Sequence, residues 1–139
     1  MSQAAASSNV VKPDLRVTLV GHCGPDASFL RMAVSTALPG ALVSLADTDR
    51  ELATAIESGS DLLLFNRVLE IGFTNRDGVD LLIQVKQAHP DLRVMMVSNF
   101  PDTQQQAEAA GAEPGFGKRE IGSTKVTQCL QKAVFTATA

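Results

Sequence analysis

Short apolar runs of strand length alternate in this chain with segments of helical periodicity, and that alternation leaves few folds open. Residues 15–20 (Leu15-Arg16-Val17-Thr18-Leu19-Val20), 41–46, 61–66 and 93–97 read as strands one to four. The first, third and fourth are almost continuously apolar, as suits parallel strands covered on both faces. Helix one is expected over 25–38, with Leu30, Val34, Ala37 and Leu38 near one face, and Pro25 and Asp26 suit its first turn. Thr48-x-x-Glu51 is a capping-box pattern before helix two, which carries Leu52, Ala55 and Ile56 and stops at Gly59. Helix three, over 78–89, stacks Val79, Leu82 and Ile83 and ends before Pro90. Helix five has the clearest period, in Val126, Cys129, Leu130, Ala133 and Val134. Helix four, over 101–110, is mostly Gln, Asp and Ala and should be the most loosely held.

Five βα units without an internal repeat predict a single α/β domain: a doubly wound parallel sheet of order 2-1-3-4-5 in a three-layer, flavodoxin-like sandwich. The domain is expected over 14–135, between a flexible tail at 1–13 and a short one at 136–139. The N-terminal stretch has neither a basic start nor an apolar core, so it does not read as a secretion signal. In such sheets the functional crevice lies outside the carboxyl ends of the strands, where the strand order reverses. Here that rule gathers Gly21, His22, Asn66, Ser98 and Lys118 at one mouth.

Several function classes fall away on composition. A formal charge of −3, with no basic stripe, argues against a phosphate-backbone binder. With no Trp or Tyr, stacking platforms for single strands are absent too. No stretch approaches the roughly 20 apolar residues of a membrane span. Cys23 and Cys129, the only cysteines, read as reduced thiols of a cytoplasmic protein rather than a disulfide or zinc site. His22-Cys23 places an imidazole beside a thiol, but sequence neighbours on an extended chain point apart and no orienting third group is evident. A pocket-lining imidazole and a small thiol are the simpler reading. Asp77 reads as part of a turn into helix three, and His89 as a polar cap at its end.

Four segments carry a family resemblance: Asp61-Leu62-Leu63-Leu64-Phe65-Asn66, Asp77-Gly78-Val79-Asp80-Leu81-Leu82, Val94-Met95-Met96-Val97-Ser98-Asn99, and the stretch from Gly111-Ala112 to Lys118. Together they resemble the CheY-like receiver domain of response regulators, over nearly the whole chain. The resemblance puts Asn66 at the phospho-acceptor position and Gly21 and His22 at the metal-holding acidic pair. It makes Ser98 the hydroxyl that bonds a phosphoryl group, and Lys118, closing strand five, the salt-bridging lysine. It also implies an output and dimer surface on helix four, strand five and helix five, which Gly115-Phe116-Gly117 should make mobile. The loop at 67–77 is longer than the family's and lacks its proline. The chain therefore reads as a degenerate receiver, or pseudo-receiver.

Magnesium demands near-octahedral oxygen ligation, usually with carboxylates. Gly21 offers no side chain, His22 a nitrogen, and Asn66 one neutral oxygen, so magnesium binding is expected to be absent or weak, with no other cofactor implied. Restoring acids at 21, 22 and 66 together should recover it; restoring 66 alone should not. Lys118, freed of three carboxylates, pairs with Asp26, Glu70 or Glu113, or else joins Ser98, His22 and helix-one N–H groups in a weak anion site. The expected activity is signalling by protein contact in a phosphorelay, not enzymatic turnover. Partners are a histidine kinase, another regulator, an output protein or a second copy through helix four, strand five and helix five. The alternative is a sensor of a small anion or metabolite at the mouth.

Overall fold

The computed structural model describes residues 15–135, so the two expected tails, 1–13 and 136–139, lie outside the described residues. Five parallel strands, β1 (Arg16–Val20), β2 (Leu42–Ala46), β3 (Leu62–Asn66), β4 (Arg93–Val97) and β5 (Glu113–Phe116), form one sheet in the order β2-β1-β3-β4-β5. Helices α1 (Gly24–Ala37) and α5 (Thr124–Phe135) cover one face. The other face carries α2 (Asp49–Glu57), α3 (Gly78–Ala88) and α4 (Pro101–Ala109).

Two-sided burial explains the unbroken apolar runs. Leu62 and Leu64 of β3, with Met95 and Val97 of β4, pack toward α1 and α5. Their neighbours Leu63, Phe65, Val94 and Met96 pack toward the other three helices. β2 behaves differently because it is an edge: Leu42 and Leu45 are exposed and only Ala46 is buried. Pro114 sits on the opposite edge strand, β5, where its missing N–H is tolerated.

The capping predicted at Thr48 forms. Its side chain accepts from the Glu51 N–H at 3.1 Å, and Glu51 Oε1 accepts from the Asp47 N–H at 2.8 Å. Asp77 is more than a turn residue, since its Oδ1 accepts from the N–H groups of Val79 and Asp80 and caps α3. Asp77→Ala is expected to lower stability by about 1 kcal/mol, read as a shifted urea midpoint at constant slope. His89 holds the C-cap of α3 through its backbone N–H, which donates to the Val85 carbonyl.

One expectation about the β4–β5 side needs correction. Lys118 does not close strand five; it opens a 3₁₀ turn, Lys118–Glu120, beyond the end of β5. The glycines beside Phe116 also have a packing role. Phe116 is buried, and a Cβ on Gly115 would lie 2.1 Å from the Met96 carbonyl oxygen, so glycine is there for close approach. The same corner fastens α4. The Gln104 amide nitrogen lies 2.8, 3.1 and 3.2 Å from the carbonyl oxygens of Met96, Ser98 and Phe116, where the β4–β5 register is irregular. Only Ala107 of α4 is buried, so this polar plug substitutes for the apolar face the helix lacks.

Candidate functional site

The strand ends converge as the topology requires. Gly21 and His22 follow β1, Asn66 ends β3, and Ser98 follows β4, while Lys118 approaches from beyond β5. Asn66, Ser98 and Lys118 share the wall of a cleft of about 140 Å³ with Arg67, Asn99 and Phe100.

The side chains of Asn66, Lys118 and Ser98, and one ring nitrogen of His22, are engaged by other groups of the protein. Asn66 Nδ2 donates to the carbonyl oxygens of Gly21 at 3.1 Å and Val68 at 2.8 Å. Both neighbours are acceptors, so the amide orientation is forced. The side chain is a strut between the end of β1 and the start of the 67–77 loop. His22 is buried, and its Nε2 lies 2.9 Å from the Leu64 carbonyl oxygen, which fixes Nε2 as the protonated nitrogen. Nδ1 is then an acceptor, and it is buried without a hydrogen-bond partner. Burial drives the His22 pKa down to about 4, helped by the Lys118 charge and opposed by the Leu64 hydrogen bond, so the ring is neutral at pH 7.

Lys118 Nζ lies 2.7 Å from Asp26 Oδ2. Of the three acids considered as its partner, Asp26 of α1 is the one in contact. The Lys118 hydrogen bond, more than any other influence, holds the Asp26 carboxyl below the ordinary carboxylate range. Glu113 opens β5, at the far end of that strand from the mouth. Glu70 contributes to an acidic neighbourhood that, behind the larger effect of burial, raises Asp47. Ser98 also turns inward on its own loop: its Oγ lies 2.6 Å from Thr103 Oγ1 and accepts from the Phe100 N–H at 3.1 Å.

The sequence concealed what fills the rest of the site. The 67–77 loop folds back on itself through a Val68–Asp77 bridge and a bond from the Leu69 N–H to the Arg76 carbonyl, and it buries Leu69 and Phe73. Gly21 has φ +73, and a Cβ built on it would strike Leu69 Cδ2 at 2.4 Å. Leu69 therefore occupies the space an acidic side chain at position 21 would need. An aspartate at position 21, as in the triple replacement, would meet the left-handed backbone and would have to displace the end of the Leu69 side chain. The apolar Leu69 and Phe73, set three or more positions past β3, were the available signal.

A divalent ion does not fit these groups. Asn66 directs its amide nitrogen into two carbonyls, Asp26 is ion-paired, and His22 presents one buried nitrogen. Among the described residues no three of His, Cys, Asp and Glu group closely enough to hold a metal. Cys23 is exposed at the N-cap of α1, and its side chain makes no capping bond there.

No protein-family model matches the chain, and no curated protein matches it. Solved structures do. The signal receiver domain of a DNA-binding response regulator from Colwellia psychrerythraea 34H is 18% identical with a TM-score of 0.70, over 87% of this chain and 98% of that one. The receiver domain of NtrX from Brucella abortus is 25% identical with a TM-score of 0.67, over 86% and 98%. A longer NtrX chain from the same organism gives 21% and 0.74, over 88% of this chain and 28% of its own length. The fold is that of a receiver domain. Asn66, Gly21 and His22 occupy the strand-end positions of that fold, and Leu69 and Phe73 lie against the position a Cβ on Gly21 would take.

Proposed function

We propose that the chain is an atypical receiver module of two-component, phosphorelay signalling, a pseudo-receiver that acts in the cytoplasm by protein contact, without turnover and without the usual aspartyl phosphorylation. One observation carries the proposal: Lys118 is closed on Asp26 at 2.7 Å while the Asn66 amide is spent on two backbone carbonyls. The cationic clamp is satisfied from within and the nucleophile position holds a strut. Contact with a histidine kinase, another regulator, an output protein or a second copy through α4, β5 and α5 then carries the signal. Support comes from the rim of the mouth, where Val68 and Phe100 are exposed and Arg67 lies 4.7 Å over the Phe100 ring.

Acetyl phosphate with magnesium, followed by intact mass spectrometry, tests the chemistry. The expected result is no acid-labile phosphoryl adduct; a stoichiometric adduct retained on the chain contradicts the proposal. A second reading, a small-anion sensor, draws on the cleft shared by Asn66, Ser98 and Lys118. It requires Lys118 to leave Asp26, so phosphate or sulfate at about 10 mM is expected to leave the melting temperature within about 1 °C. A saturable rise of several degrees favours the sensor instead.

A further inference from the structure

Away from the mouth, the edge of β2, unpaired among the described residues, borders a cleft of about 580 Å³ that the receiver reading does not use. It exists because α2 is short and buries only Leu52, leaving the outer part of the sheet uncovered. The floor is a chain of hydroxyls. Ser60 donates to the Leu62 carbonyl, Thr18 Oγ1 lies 2.8 Å from Ser60 Oγ, and Ser44 Oγ lies 3.2 Å from Thr18 Oγ1. Each hydroxyl has one proton, so this relay leaves spare acceptor capacity at Ser44, which lines the cleft.

The backbone of β2 is equally specific. The Leu42 N–H donates to the Leu15 carbonyl and the Ala46 carbonyl accepts from the Gly21 N–H. Alternation along a parallel strand then turns the N–H and C=O groups of Val43 and Leu45 outward, toward the open edge. Arg31 Nη1 already reaches the Val43 carbonyl at 3.3 Å, which confirms the direction. Leu42 and Leu45, both exposed, flank this row.

Charge selects the occupant. Arg50 lines the cleft together with Arg16, whose Nη1 donates to the Ser58 carbonyl, and Arg31 reaches the β2 edge at the Val43 carbonyl, while Glu51 is the one acid among the lining residues and accepts from the Asp47 N–H. Arg50 lies in the first turn of α2, where a cation opposes the helix dipole and contributes nothing to the helix. A second copy pairing through β2 would bring Arg31 and Arg50 against their own counterparts, which disfavours a homodimer there.

We propose that the β2 edge binds an extended acidic segment of a partner protein as a sixth strand, with main-chain bonds to Val43 and Leu45 and acidic side chains on Arg50 and Arg31. The proposal is independent of the chemistry at the mouth, so either can fail alone.

The probe is a fluorescein-labelled hexapeptide alternating glutamate and valine, titrated by anisotropy. Saturable binding is expected, weakened about tenfold or more by Arg50→Glu, and by a peptide with lysine in place of glutamate. N-methylating the peptide backbone at alternate positions should abolish binding without altering the protein. Leu45→Pro removes one outward N–H while sparing the ladder to β1, and should weaken binding at an unchanged melting temperature. Equal affinity for the N-methylated peptide, no saturable binding, or a dimer in sedimentation that Leu45→Pro dissolves would each overturn the proposal.

Discussion

Asn66→Asp is expected to destabilise the fold by about 3 kcal/mol at pH 7, even though it restores the residue that receiver chemistry would need. The amide nitrogen of Asn66 sits 3.1 Å from the Gly21 carbonyl oxygen and 2.8 Å from that of Val68. A carboxylate there replaces two donated hydrogen bonds with two oxygen–oxygen repulsions, the part-buried one to Gly21 costing most. Lys118 offers little relief because Asp26 already holds it. The introduced acid should therefore have a raised pKa, and protonation would let it donate one bond again. Urea unfolding of the two proteins at pH 7 and at about pH 4 checks this: the stability gap should narrow at the lower pH. A variant as stable as the parent at pH 7 would show that the amide is not a strut.

Stability should also fall by about 3 kcal/mol as pH drops from 6.5 to about 4, because His22 is held neutral inside the mouth. Burial lowers the folded pKa from 6.5 to about 4, so in that window the unfolded chain binds a proton that the folded one refuses. The contribution is fully present above pH 6.5, is lost progressively through the window, and changes no further below it. Asp26 and Glu120 are shifted down by their lysine and backbone partners, so their contributions fade only at lower pH. Asp47, raised by burial and by Glu51 and Glu70, works in the opposite sense and trims the slope. His22→Gln can keep the bond to the Leu64 carbonyl without a titrating ring. Its stability should be nearly flat between pH 6.5 and 4.5, as measured by unfolding midpoints across that range. An unchanged slope in the variant would assign the pH dependence to other groups.

What could be read from the sequence follows from how local each signal is. β3 and β4 announce themselves because both faces are buried, and Thr48 with Glu51 marks the start of α2 within four residues. The gathering of Gly21, His22, Asn66, Ser98 and Lys118 followed from a rule about strand ends. The departures arise where a residue's role is set by a distant backbone. Gly115 reads as freedom until the Met96 carbonyl is found against it, and the polar helix over 101–110 reads as loosely held until the Gln104 amide is seen to bridge β4 and β5. Leu69 lies in the long 67–77 loop, to which the sequence assigns no role, yet it fills the space beside Gly21. Lys118 has a partner that neither spacing nor periodicity singles out, because Asp26 reaches it from a helix at the other end of the chain.

Direct titration with magnesium, followed through backbone amide NMR, tests the central claim most closely. The amides of Gly21, His22, Asn66, Ser98 and Lys118 are predicted to stay unshifted up to about 20 mM magnesium, the Lys118–Asp26 pair remaining closed. Saturable shifts confined to those five residues, with half-saturation near or below about 1 mM, would mean that the strand ends do assemble a cation site.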